Sequence, residues 1–216
     1  MQKMTDGNDS GTKIKICGLR RREDILAVNE ANLDYCGFIV IEFPSSFRSV
    51  TADEVRELVK ELDPEIRPVG VFVNAPMELV RTLLDDGTLA LAQLHGQEDE
   101  SYIRELKTYT DKLIIKAFSI KIAEDIEKAL QSSADYILLD QGGGGTGKTF
   151  DWSLIPEIQR PFFLAGGIGA SNLGQAIREI HPYAVDLSSS VETEKRKDPM
   201  KIRQVVDIVR EIKIIN

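Results

Sequence analysis

Three side chains stand out because each ends or follows an apolar run. Asp140 closes Tyr136-Ile-Leu-Leu-Asp140 and leads at once into Gly142–Gly145 and Gly147. An acid there suits a proton donor beside a bound anion, because glycines let backbone N–H groups approach an anion closely. Cys17 closes Lys13-Ile-Lys-Ile-Cys17, and Gly18 opens the backbone beside it. A lone cysteine is most often a small buried hydrophobe. Lys15, however, shares its strand face, and a neighbouring ammonium favours the thiolate, which is the basic form. Arg48 lies in the segment Phe43-Pro-Ser-Ser-Phe-Arg48, where a guanidinium can grip a carboxylate through two parallel hydrogen bonds. His95 closes the fourth apolar run and is expected to line the same pocket. Cys36, within a run, reads as core, and His181, next to Pro182, reads as peripheral.

Three consecutive loops look suited to a phosphate. Gly142–Gly145 (with Gly144 and Gly145 at its centre) and Gly147 follow the sixth apolar run; Gly166, Gly167 and Gly169 follow the seventh; Ser188, Ser189 and Ser190 follow the eighth. The stretch ending Gly147-Lys148-Thr149 satisfies the spacing of a nucleotide P-loop, but it does not follow the first strand, and Phe150-Asp-Trp152 and Pro156 stand where a long helix should start. Two separated histidines and no clustered acids at ligand spacing predict no metal site.

The elements that must position these residues alternate from Lys13 to the C-terminus. Strands are expected at Lys13–Cys17, Tyr35–Ile41, Arg67–Asn74, Ala90–His95, Leu113–Ser119, Tyr136–Asp140, Phe162–Gly166 and Ala184–Ser188. Helices are expected to start near Arg22, Thr51, Pro76, Glu98, Ile120, Trp152, Ala170 and Asp198. Thr51 with Glu54 makes a capping box, Pro76 suits a first helical position, and Ser171 or Asn172 can cap the seventh helix. Eight strand-helix units in about 200 residues predict an α/β protein, a single (β/α)8 TIM barrel of parallel strands. A doubly wound open sheet is the competing architecture, with fewer units. Strand alternation puts Ile14, Ile16, Ile137, Leu139, Val185 and Leu187 against the helices. Lys15, Cys17, Leu138, Asp140, Asp186 and Ser188 then point inward, with Cys17, Asp140 and Ser188 at the C-terminal strand ends where active sites gather. Strand eight closes on strand one, so Asp186 is expected to pair with Lys15.

Bulk properties bound the rest. The 216 residues carry a net charge of −8, with 42% hydrophobic and 29% charged residues. That balance fits one domain with a sizeable core and argues against a nucleic-acid partner or an acidic membrane surface. No apolar run approaches the roughly 20 residues that span a bilayer. Residues 1–11 read as a polar, disordered leader, leaving 12–216 as the catalytic barrel. Two cysteines make no disulfide framework, which points to the cytoplasm.

Taken together, Lys15-Ile-Cys-Gly18, Gly70-Val-Phe-Val-Asn74, Gln93-Leu-His-Gly96, Leu139-Asp140 with Gly144-Gly-Thr-Gly147 and Phe150-Asp-Trp152, Ala165-Gly-Gly167 and Val185-Asp-Leu-Ser-Ser189 resemble the phosphoribosylanthranilate isomerase family of tryptophan biosynthesis. The resemblance spans nearly the whole chain from Lys13. It implies an Amadori rearrangement of N-(5-phosphoribosyl)anthranilate without cofactor or metal. Asp140 is then the general acid, Cys17 the general base, and Arg48 the holder of the anthranilate carboxylate, with His95 also lining the site. The three terminal loops are the holders of the phosphate, through Gly144, Gly145, Gly166, Gly167, Ser188 and Ser189. The implied partner is a small phosphosugar–anthranilate substrate, bound by a monomer or a homodimer. The chain departs from the family pattern where Ser46-Phe47-Arg48 replaces Ser-Pro-Arg, where Ser190 replaces a glycine, and where Lys195-Arg196 replaces Pro-Gly. The histidine-pathway isomerase runs the same rearrangement but uses an aspartate where Cys17 stands, indole-glycerol-phosphate synthase would need a lysine and glutamate set that cannot be placed here, and a phosphate-binding barrel without catalysis is the alternative from another class.

Overall fold

The computed structural model describes residues 11–41, 46–141 and 151–212. Eight parallel strands carry the architecture: β1 (Lys13–Cys17), β2 (Tyr35–Val40), β3 (Arg67–Phe72), β4 (Leu91–Leu94), β5 (Leu113–Ser119), β6 (Tyr136–Asp140), β7 (Phe162–Leu164) and β8 (Ala184–Leu187). Each pairs in parallel with its successor, and β1 pairs with both β2 and β8, so the sheet closes into a barrel. Closure leaves no open edge in the barrel wall. An open doubly wound sheet is thereby ruled out.

Two apolar layers follow from the alternation of side chains along each strand. Ile14, Ile16, Cys36, Ile137, Leu139, Val185 and Leu187 belong to the outer layer between barrel and helices. Tyr35, Val69, Leu91, Ile115, Tyr136, Leu138, Phe163 and Ala184 fill the interior. The outer layer is covered by α1 (Arg22–Ala31), α2 (Ala52–Val59), α3 (Met77–Asp85), α4 (Glu100–Tyr109), α5 (Ala123–Leu130), α6 (Leu173–Ile180) and α7 (Pro199–Glu211). Their apolar stripes are short: α4 buries Ile103 and Leu106, and α7 buries Ile202, Val205, Val206 and Val209.

Several expected boundaries shift for local reasons. Thr51 caps α2 with its hydroxyl accepting from Glu54 N, as the capping box predicts. Pro76 is the N-cap of α3 rather than its first residue, since the ring sets φ but leaves ψ free, here at 135°. Glu98 does not open α4. Its carboxylate accepts from the backbone N–H groups of Asn74 (2.6 Å) and Gly96 (2.8 Å), and Asp99 caps the helix instead. Ile120 is buried with its N–H on Asp140 O, so α5 begins three residues later. Asn172 stands at the N-cap of α6, but its side chain bonds Gly169 N and Gly167 O instead of the helix. The helix expected near Trp152 is a single 3-10 turn, Trp152–Leu154, capped by Asp151. Ile155 is extended, as the residue before a proline tends to be. The strands also stop one or two residues short of expectation at Ile41, Val73-Asn74, His95, Ala165-Gly166 and Ser188, and β4 starts at Leu91 instead of Ala90.

Two small additions sit at the C-terminal end of the barrel. Ser49–Val50 pairs in parallel with the end of β2, and Glu192–Thr193 pairs antiparallel with Arg196–Lys197 as a hairpin after β8. The expected leader, residues 1–11, lies outside the described residues apart from Gly11.

Candidate active site

Cys17 ends β1 on the interior face, two residues beyond Lys15. Lys15 is fully buried, and its ammonium donates to Asp186 Oδ2 at 2.9 Å across the β1–β8 seam, where the two residues are in register. The expected pair is present. Burial opposes the Lys15 charge, but Asp186 and Cys17 outweigh it and raise its pKa. Burial likewise pushes the Cys17 thiol up, and the Lys15 ammonium recovers only part of that shift, so the resting group at neutral pH is the thiol. Burial pushes the Asp186 carboxyl up against the pull of Lys15, and its Oδ1 is buried without a partner among the described residues.

Space for this pair comes from Gly37, the residue of β2 opposite Cys17. A Cβ there would stand 3.0 Å from both the Cys17 sulfur and the Lys15 nitrogen. Gly37 O also accepts from the N–H groups of Gly18 and Leu19, at 2.8 and 3.0 Å, which turns the chain immediately after Cys17.

Asp140 ends β6, its side chain 12% exposed. Gly166 presses against it with φ +84°, and a Cβ there would lie 2.6 Å from Asp140 Oδ1 and 2.7 Å from Gln141 N. Only glycine meets both the dihedral and the approach. His95 Nε2 stands 3.5 Å from Asp140 Oδ2, and His95 Nδ1 is 2.8 Å from Gln93 Nε2. A Gln93 amide donating to Nδ1 places the imidazole proton on Nε2, facing the acid. Gln93 Oε1 is buried and has no partner among the described residues.

Arg48 reaches the site from the loop after β2. Its side chain lies against Gly18, where a Cβ would meet Arg48 Cδ at 2.8 Å, and its guanidinium stacks on Phe47 at 4.2 Å. Arg48 already holds a carboxylate of the chain itself: Nε and Nη2 donate to Glu192 at 2.8 and 2.7 Å. Lys197 donates to the same carboxylate at 2.9 Å and to Ser188 O at 3.0 Å. Burial pushes Glu192 up, but these two cations outweigh it and hold the carboxyl below its ordinary range.

The loops after β7 and β8 meet. A Cβ on Gly169 would touch Ser190 Cβ at 3.0 Å, Gly167 adopts φ +66°, and Ser188 Oγ donates to Cys17 O at 3.0 Å. Ser189 begins a 3-10 turn, Ser189–Val191. Gly144 and Gly145 lie outside the described residues, within 142–150. Among the expected site residues, the structure joins Cys17 with Lys15, Asp186 and Ser188, and Asp140 with His95 and Gly166.

Gly37, Gln93, Glu192 and Lys197 were not singled out from sequence. Period-two counting from Tyr35 and from His95 places Gly37 and Gln93 inward; the two-residue strands that bear Glu192 and Lys197 carry no such pattern. Among the described residues, no group of three or more His, Cys, Asp or Glu is placed to hold a metal, and no helix is long and apolar enough to cross a membrane.

Comparison with known proteins fits this geometry. Residues 14–208 match the family model described as N-(5'phosphoribosyl)anthranilate (PRA) isomerase. The N-(5'-phosphoribosyl)anthranilate isomerase of Endomicrobium trichonymphae is 44% identical over 204 residues, covering 93% of this chain and 99% of that protein. A phosphoribosyl anthranilate isomerase solved with reduced 1-(o-carboxyphenylamino)-1-deoxyribulose 5-phosphate superimposes with a TM-score of 0.80 at 33% identity, covering 93% of this chain and all of that one. Monomers generated from the dimeric Thermotoga maritima enzyme give 0.81 at 34% identity, with the same coverage. The chain belongs to the N-(5'-phosphoribosyl)anthranilate isomerase family.

Proposed function

We infer that the chain catalyses the Amadori rearrangement of N-(5-phosphoribosyl)anthranilate to 1-(2-carboxyphenylamino)-1-deoxyribulose 5-phosphate, the isomerase step of tryptophan biosynthesis. The observation that carries the mechanism is the pairing of a thiol beside a buried ammonium on β1 with a carboxyl pinned by Gly166 on β6. Asp140 delivers a proton to the ribose ring oxygen as the C1–O bond breaks, leaving a protonated Schiff base. Cys17, as thiolate, takes the proton from C2. The positive nitrogen acidifies that C–H bond, so a modest base is enough. The C–H electron pair forms the C1–C2 double bond of an enolamine, which tautomerises to the ketose.

Lys15 steadies the thiolate, and Asp186 holds Lys15. His95 faces the acid and orients it. Arg48 receives the anthranilate carboxylate, while Gly144, Gly145, Gly166, Gly167, Ser188 and Ser189 offer the phosphate backbone N–H groups and hydroxyls. The ring flow needs no cofactor, since the substrate is its own oxidant and reductant. The chain works as a monomer or a homodimer, the latter supported by the dimeric Thermotoga maritima relative.

The decisive test is loss of the substrate's anthranilate-type fluorescence on adding the purified chain. Catalysed loss, with the ketose phosphate as product, is the expected result. A folded protein that leaves the signal unchanged overturns the assignment.

A further inference from the structure

Arg48 has two edges able to take a carboxylate side by side, and Glu192 occupies one of them. The Nε–Nη2 edge is filled by the bidentate contact at 2.8 and 2.7 Å, whereas the Nη1–Nη2 edge has no partner among the described residues. Glu192 is itself gripped from behind. Lys197, with its side chain 1% exposed, donates to it at 2.9 Å, so one carboxylate lies between two cations and the trio keeps a net positive charge. A further anion is therefore attracted and not repelled.

The trio continues toward the other end of the site. Lys197 also donates to Ser188 O, and Ser188 Oγ donates to Cys17 O, each at 3.0 Å. The hairpin Glu192–Thr193 with Arg196–Lys197 makes the link stiff. Phe47, under the Arg48 guanidinium at 4.2 Å, has the Lys195 ammonium 5.4 Å from its ring centroid, which adds a second contact between the two loops.

We propose that Glu192, braced by Lys197, is a positioning residue that holds Arg48 side-on, so that its free edge meets the substrate's aromatic carboxylate in register with the phosphate loop at Ser188. This rests on the isomerase reading given above. The strut fixes the spacing between the two anionic ends of the ligand before it binds, which lowers the ordering cost of binding. Because the carboxylate contact is the same in ground and transition states, its loss is read in KM and not in kcat.

Steady-state kinetics of the full chain test this with Glu192→Gln, which keeps the size and removes the charge, and Glu192→Ala. The expected result is a KM raised about ten- to hundredfold with kcat within about threefold. Arg48→Ala combined with Glu192→Ala is expected to be no worse in KM than Arg48→Ala alone, since both act on one contact. An unchanged KM in folded Glu192 variants, or fully additive effects in the double variant, overturns the proposal. If Glu192→Ala does not fold, Glu192→Gln decides; if neither folds, the strut is a folding element and the positioning role falls. Wild-type protein without turnover overturns the isomerase reading instead. In that case, calorimetric binding of reduced 1-(o-carboxyphenylamino)-1-deoxyribulose 5-phosphate decides the positioning role, and equal affinity in wild type and Glu192→Gln overturns it.

Discussion

Tyr136 and Asp140 lie on the same interior face of β6, with Leu138 between them, yet their surroundings are opposite in kind. Around Tyr136 the barrel is plugged by rings: Phe163 and Tyr183 pack on it at centroid separations of 5.5 and 5.1 Å, and Tyr35 packs on Phe163 at 5.5 Å. The polar tips at that end are satisfied, with Tyr35 and Tyr183 hydroxyls 2.7 Å apart and Arg67 donating to Tyr35 at 3.2 Å. Around Asp140 the interior holds Lys15, Cys17, Asp186, Gln93 and His95, and two buried oxygens, Asp186 Oδ1 and Gln93 Oε1, lack partners among the described residues. Unpaired buried acceptors cost stability. One end of the barrel spends its residues on cohesion, and the other tolerates unmet polar atoms where a ligand would supply the partners.

The contrast can be broken from either side. The largest effect is expected at the polar end: Asp140→Asn and Cys17→Ser should each lower kcat by about a hundred- to ten-thousandfold, with thermal midpoints near that of the unaltered chain. Near-normal turnover in either variant removes that residue from the chemistry. At the aromatic end, Phe163→Ala should cost about 3–5 kcal/mol and lower the thermal midpoint on the order of 10 °C, while kcat per folded molecule stays close to normal. A collapse of kcat in folded Phe163→Ala would mean the two ends are mechanically coupled.

Asp186→Asn bridges the two regimes, because Lys15 is then buried without its counter-charge. A stability loss of about 3 kcal/mol together with reduced turnover is expected from calorimetry and kinetics on the same sample. Full stability would sink the pairing role.

The smallest effect is a slope. In the proposed mechanism Cys17 acts deprotonated, and burial sets its pKa above the ordinary thiol value, so raising the pH increases the thiolate fraction. In an Asp140→Asn background, where no required acid titrates against the base, the residual kcat/KM should therefore climb from pH 7 to pH 9, the direction expected of a required base. Two things would speak against it: a flat profile in Asp140→Asn, or an equal slope when Cys17→Ser is added to it.

The polar end was readable from sequence wherever side chains obey a period of two. Lys15, Cys17, Asp140, Asp186 and Ser188 follow from counting along apolar runs, and so does the Lys15–Asp186 contact once the barrel closes. Gly37 and Gln93 obey the same count, but a glycine and a glutamine inside apolar runs draw no notice until their neighbours are seen. Glu192 and Lys197 were illegible because their strands are two residues long and their pairing depends on a turn through Glu194 and Lys195, both at positive φ. The helix expected near Trp152 gives way to a 3-10 turn for a local reason: Pro156 halts it, and Pro161 leads directly into β7. Arg48 was singled out from its loop, but its side-on carboxylate comes from a residue 144 positions away, beyond the reach of any local pattern.

The contact between Lys15 and Asp186 also has a bearing on biosynthesis of the chain. The two residues are 171 positions apart, on the first and last strands of the barrel. Until β8 docks, a nascent chain carries an ammonium in a half-formed apolar trough with no acid to meet it, and the thiol two residues on lacks the hydroxyl that anchors its carbonyl. Contacts of such high order form late, after most loop-closure entropy has been spent. Sealing the cylinder and completing the contacts around the thiol are therefore one event, and a fragment truncated before β8 is expected to be inert as well as unstable.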